Sequence, residues 1–292
     1  MRLYDYRLGL SATPSRYFDD IGTEVINEFF GGVVFEFDLT RALTEINPDT
    51  NETYLCPYYY CPIIVDLTDE EYDKYLMYSY KIAQLFSSKK NQDKIEEELT
   101  YYNNLRQRII NNAENKYFAF NKLLKKNPAL DKLIVFCSPQ QINNVQEILN
   151  KNKIIPQHKF TQEVSARVSN KTGMSEREEI LELFSKGIYR ALVAIKCLDE
   201  GVDVPVAETA IILSSTSNPR EHVQRRGRIL RRAPGKKYAT IYDILVFPEE
   251  HTYAGSKIIK KEILRYKEFA ENAKNSYECL KVLRKYYDKV VE

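Results

Sequence analysis

The 292-residue chain contains no tryptophan, and it lacks several more telling things. No apolar run approaches the about 18 residues that a membrane-spanning helix needs, which excludes that class of segment. No secretory signal opens the chain, and no internal repeat or low-complexity stretch interrupts it. There is no surplus of one charge: 43 Lys and Arg stand against 41 Asp and Glu, a formal net charge of +2. A protein-wide basic field is therefore excluded, and any contact with nucleic acid has to be local. The five cysteines are scattered. Cys137 and Cys197 fall in or beside apolar runs as small core residues. Cys56 and Cys61 flank PYYY without a second Cys or His pair at zinc spacing, so no metal site is expected. The expected setting is reducing and cytoplasmic, with no membrane partner.

What is present is the composition of a globular protein, 43% hydrophobic and 29% charged, with room for one large domain or two smaller ones. RLGLSATP near the start reads as the end of a buried strand stopping at a turn. Residues 21–66 alternate short apolar runs, GGVVFEF and PIIVDL, with turn residues, and read as short strands and loops. Thr68 and Glu71 form a capping box that opens a helix. A second long helix is expected from Ile95 through Leu124, so that residues 67–127 make a helical hairpin. After Pro128 the texture changes to alternating strands and helices: KLIVFC, a strand over 160–169, RALVAI, TAIILSS and ATIYDILV. Ser138 with Pro139 and Gln141, and Ser175 with Glu178, start the intervening helices, and Gly187 ends one. Such alternation means an α/β fold with a parallel sheet covered by helices on both faces. A charge-rich helical tail follows. The expected layout is 1–20, 21–66, 67–127, 128–250 and 251–292.

One stretch is chemically loud. QRRGRILR, residues 224–231, places four arginines in eight residues. From Arg220 to Lys237 there are eight Lys and Arg against one acidic residue, Glu221. In a continuous helix Gln224, Arg228 and Arg231 fall at i, i+4 and i+7, one row on one face. Gly227 costs about 1 kcal/mol inside a helix, so a need for the missing side chain is expected. The competing readings are a solvated basic face and an array of guanidinium forks aimed at phosphates.

In an open parallel sheet, ligands bind at the carboxyl ends of the strands, and four segments fall at such ends. In chain order they resemble the signature motifs of superfamily 2 helicases. SAT at Ser11–Thr13 resembles motif III, IVFCSP around Phe136 motif IV, ALVAIKCLDEGVDVP at 191–205 motif V, and QRRGRILR motif VI. TGMSEREEILELFSKG is similar to the segment those proteins carry before motif V. Glutamine opening motif VI points to the XPB-like and restriction-associated DNA helicase branch. The resemblance covers residues 7–247 and implies a RecA-like C-terminal lobe. It implies Arg228 and Arg231 as arginine fingers for a departing γ-phosphate, with Gln224 orienting them or the attacking water. It further implies Gly201 and Asp203 at the nucleotide, and Ser11, Thr13, Lys171, Thr172, Lys196 and Arg220 as coupling or nucleic-acid contacts. Two positions depart from the family: Ile195 replaces a common threonine of motif V, and Thr172 a common histidine.

The Walker A loop, G-x-x-x-x-G-K-[ST], is absent, and so is the Mg²⁺-binding DExx box. GKK at Gly235–Lys237 lacks the hydroxyl residue and the earlier glycine. The expectation is a fragment: half of an ATP and Mg²⁺ site, completed by an N-terminal RecA-like lobe of the same polypeptide, acting on DNA. This chain alone is expected not to hydrolyse ATP. A non-catalytic nucleic-acid-binding or protein-docking lobe, and an RNA motor, remain the alternatives.

Overall fold

The computed structural model describes residues 6–291 apart from 12–13, 15–18, 88–91, 162–163, 166, 168–172, 196–203, 216–218 and 249–252. Its centre is a six-stranded, wholly parallel sheet. The strands are β3 (Tyr58–Val65), β4 (Leu133–Phe136), β5 (Gln157–Phe160), β6 (Ala191–Ala194), β7 (Thr209–Ile212) and β8 (Ala239–Val246), in the spatial order β3-β8-β7-β4-β6-β5. Two short strands, β1 (Ile46–Asn47) and β2 (Glu52–Thr53), pair antiparallel outside it.

Every residue of β4, β6 and β7 is buried, which is why these strands read as continuous apolar runs rather than alternating ones. The side chains still alternate between faces. Ile134, Phe136, Leu192, Ala210 and Ile241 enter one core layer, while Leu133, Val135, Val193, Ile211 and Ile244 enter the other. The second layer is closed by α5 (Glu114–Lys126) and α6 (Ile142–Lys151) through Phe120, Leu124, Val145 and Leu149. The first is closed by α7 (Glu176–Ser185), α8 (Pro219–Ile229), α9 (Tyr253–Ala270) and α10 (Ser276–Val291). The capping boxes at Thr68/Glu71, Ser138/Gln141 and Ser175/Glu178 are all formed.

Several expectations need correction. Residues 6–11 contain no strand, and Leu8 and Leu10 are exposed; an apolar run becomes a buried strand only where a sheet edge receives it. Residues 20–30 form a helix, α1 (Asp20–Phe30), capped by the Asp19 side chain. GGVVFEF adopts no strand, with Val34 among its exposed residues. PIIVDL belongs to the longer β3, which starts at Tyr58 and pairs along its full length with β8. The strand placed at 160–169 lies earlier, at Gln157–Phe160.

The second hairpin helix is two helices. After α3 (Asp69–Phe86), α4 (Gln92–Asn112) stops at Ala113 and α5 restarts at Glu114. Ala113 has φ −48° and ψ 131°, extended backbone that ends one helix and re-aims the next. Only α3 and α4 form the hairpin, and α5 is a sheet-covering helix. The hairpin is seated by a third core of Tyr72, Tyr75, Ile110, Ala113, Val246 and Ile258.

The helices after residue 251 are integral to the sheet. β3 is an edge strand, and an open edge exposes unpaired backbone groups. The Asn275 side chain donates to the Tyr60 carbonyl at 2.8 Å and accepts from the Tyr60 N–H at 3.0 Å. The Lys274 N–H donates to the Tyr58 carbonyl at 2.8 Å. The turn between α9 and α10 thus occupies that edge.

Candidate functional site

The site is built around α8, which follows β7 and packs on one face of the sheet; its Arg225 reaches the last residue of β4, and its end pairs with residues 55–56, just ahead of β3. Its arginines divide by face. Arg225 and Arg226 are each 4% exposed, and Ile229 and Leu230 are buried with them. The Arg225 guanidinium stacks over the Phe136 ring, 5.1 Å from its centroid, and donates to the Ser214 carbonyl at 3.3 Å. It thereby ties motif VI to the last residue of β4 and to the segment after β7. Arg226 faces α9, pairing with Glu268 at 2.6 Å over the Phe269 ring. These two arginines hold the helix down. Gln224 and Arg228, one turn apart on α8, are both partly exposed.

Arg231 does not belong to the helical row. α8 ends at Ile229. Leu230 turns into the core, its carbonyl accepts the Cys56 N–H at 2.7 Å, and Arg231 forms an antiparallel bridge with Leu55. Burial of Leu230, together with backbone pairing to residues 55–56, ends the helix before it reaches the seventh position. Arg231 is exposed and leaves the end of the same element, although the i+7 spacing does not describe how.

Part of the basic stretch faces inward. Arg232 donates to the Thr53 carbonyl at 3.0 Å and lies 3.5 Å from Glu52. Lys236 is 4% exposed. Its ammonium donates to the carbonyls of Pro205 at 3.0 Å, Arg231 at 3.1 Å and Ile229. These carbonyls include the end of motif V and the last residue of α8, where the helix dipole leaves negative partial charge. Composition alone counts Lys236 as surface charge, and no local signal marks its burial.

On the neighbouring rim, the Ser138 hydroxyl donates to Asn112 at 2.6 Å and the Gln141 amide to the Asn111 carbonyl at 2.9 Å. The motif IV loop is thereby fastened to the end of α4. Lys116, on α5, is 1% exposed and donates to the Leu213 carbonyl at 2.8 Å just past β7. Burial lowers its ammonium pKa to about 8. Below the rim, Asp243 of β8 is fully buried and accepts from Arg265 and from the Tyr60 hydroxyl, each at 3.1 Å. Sequence reading missed both Lys116 and Asp243.

Of the remaining candidates, Ser11 is exposed and far along the chain from any described strand. Thr13, Lys171, Thr172, Lys196, Gly201, Asp203 and Cys197 lie outside the described residues, as does the side chain of Arg220. No helix among the described residues is long and apolar enough to cross a membrane.

The arginine-bearing α8 thus sits on one face of a six-stranded parallel sheet that helices cover on both sides. Residues 115–233 match the helicase conserved C-terminal domain family. The chain carries that domain. It is 32% identical over 243 residues to the DNA 3'-5' translocase XPB2 of Sulfurisphaera tokodaii, covering 78% of this chain and 50% of the relative. It is 38% identical over 74 residues to the ATP-dependent DNA helicase MPH1 of Candida albicans, covering 25% of this chain and 6% of that protein. The aligned region thus spans half or less of each relative's length. Among solved structures, the SWI2/SNF2 ATPase core of Sulfolobus solfataricus in complex with double-stranded DNA is similar at a TM-score of 0.48 and 14% identity. That match covers 78% of this chain and 49% of the other.

Proposed function

We propose that this chain is the C-terminal motor lobe of an ATP-dependent DNA translocase or helicase. In this reading ATP and Mg²⁺ are held between it and a second RecA-like lobe that supplies the Walker A and DExx boxes. Arg228 and Arg231 reach the γ-phosphate, and Gln224 orients them or the attacking water. Gly201 and Asp203 contact the nucleotide. Ser11, Thr13, Lys171, Thr172, Lys196 and Arg220 couple the cleft to a DNA strand held by its phosphates.

The observation that carries this reading is the division of labour on α8. Arg225 and Arg226 are buried and partnered within the chain, which locks the helix against the sheet. Gln224 and Arg228 remain on its partly exposed side. A rigidly seated helix with a partly exposed guanidinium is what electrostatic stabilisation of phosphoryl transfer requires, because the charge is in place before the reaction begins.

The test is DNA-stimulated ATP turnover by a protein in which this lobe is joined to one carrying the phosphate loop. Arg228→Ala and Arg231→Ala are each expected to cut kcat by about 10³-fold or more with little effect on folding. A docking lobe without catalytic duty is indifferent to both changes, and unaltered turnover overturns the proposal. The isolated chain is expected to show no magnesium-dependent turnover.

A further inference from the structure

A solvent-open cleft of about 360 Å³ lies between the α3–α4 hairpin and α9. It shares no lining residue with the rim around α8. Ile110 and Ile258, both part of the third core, form its apolar floor. Above them stand Arg106 and Lys261 with the carboxamides of Asn103, Asn104 and Gln107. Among the described residues no carboxylate lines it.

Among the described residues the hydrogen-bond partners of the two cations are neutral, and the carboxylate that acts on Lys261 through space is that of Glu262. Arg106 donates to the Ser79 hydroxyl at 3.2 Å and to Asn103 Oδ1 at 2.7 Å, and its guanidinium lies over the Tyr75 ring at 5.4 Å. Its Nε–H is buried and has no acceptor. Lys261 donates to Gln107 Oε1. The neighbouring Glu262 is already engaged by Arg265 at 2.8 Å. A guanidinium with a buried, unmet N–H is costly unless an acceptor arrives. Two cations and three amides around one cleft favour a compact oxyanion, which accepts charge-assisted hydrogen bonds from several sides at once.

We propose that this cleft binds a phosphate-class oxyanion, with Arg106 and Lys261 as its charge-bearing contacts. The oxyanion is either a free inorganic phosphate or one phosphate of a nucleic-acid backbone. The site is separate from the ATP site proposed above and does not depend on that reading.

The test uses the full chain carrying Arg228→Ala and Arg231→Ala, so that the α8 rim adds no phosphate binding of its own. Inorganic pyrophosphate and a short single-stranded oligonucleotide are titrated separately at physiological salt, followed by calorimetry and by the NMR shift of the Arg106 Nε–H. Pyrophosphate is expected to bind and to move that resonance. Its affinity is expected to fall about tenfold or more in Lys261→Gln, whose side chain is on the surface, and in Arg106→Lys, which keeps the charge but loses the fork. Oligonucleotide binding that pyrophosphate displaces and Lys261→Gln weakens identifies a backbone phosphate as the natural occupant. Oligonucleotide binding indifferent to both identifies a free anion. If pyrophosphate leaves the Arg106 resonance unmoved, or binds Lys261→Gln and Arg106→Lys as tightly as the parent, the proposal is overturned.

Discussion

The Lys236 ammonium donates to the carbonyl oxygen of Arg231 at 3.1 Å from a position that is 4% exposed. Because the same ammonium also holds the carbonyls of Pro205 and Ile229, one buried charge fastens the end of α8 to the end of motif V. Lys236→Met leaves three carbonyls without their donor. The Ile229 contact is buried and the other two are part-buried; an unmet buried acceptor costs about 1–3 kcal/mol, so a loss of that order is expected, read as a lower urea midpoint. An unchanged midpoint shows that water replaces the ammonium without penalty.

The arginines of α8 separate into two classes by stability alone. Arg226→Ala removes a buried guanidinium, its pairing with the half-exposed Glu268 and the stacking on Phe269, and an expected cost of about 1–3 kcal/mol follows from the lost packing and charge-assisted hydrogen bonds. Arg228→Ala, on the partly exposed side, is expected to cost less than Arg226→Ala. Equal losses in thermal or urea unfolding contradict this division.

Gly227 has a direct test. A Cβ built there meets no described atom within 4 Å, so nothing in the described structure requires glycine. Gly227→Ala is expected to stabilise the lobe by about 0.5–1 kcal/mol through helix propensity. If the glycine serves close approach of a nucleotide or a second lobe, the same change slows ATP turnover in the two-lobed protein. Stabilisation together with full activity assigns the residue no role.

The stability of the chain depends on pH through Lys116. Burial holds its ammonium at about 8, while in the unfolded chain it titrates near about 10.4. Between these values the unfolded state binds more protons, so this group makes stability rise with pH across the window. Its charged form is a cost at neutral pH that fades above pH 8. Relative to Lys116→Met, the wild-type chain is expected to gain roughly 3 kcal/mol between pH 7.5 and 10.5. Parallel curves of urea-derived stability against pH for the two proteins disprove it.

Much of the α/β lobe is visible in local patterns. The four apolar runs at β4, β6, β7 and β8, and the three capping boxes, depend on neighbours within a few residues and appear where the sequence places them. The motif order is likewise a property of the linear chain, as is the i, i+4 spacing of Gln224 and Arg228. The errors share one cause. GGVVFEF and RLGLSATP have strand-like composition, but β pairing is a contract with a distant edge, and the edge next to β8 goes to β3. The break at Ala113 is invisible to helical periodicity, which continues in phase across it.

What the sequence determines by itself is the class of fold, the family, and the helix that bears the chemistry, because propensity, capping and motif spacing are short-range. What only the tertiary structure decides is which charges face inward. Arg225, Arg226, Lys236, Lys116 and Asp243 look like surface residues in the linear chain, yet each is buried against partners from other elements. Asp243 meets Arg265 from α9, 22 positions away, and Tyr60 from β3, 183 away. A buried charge is tolerated only when its counter-groups are brought to it, and bringing them is the work of the completed sheet and its covering helices.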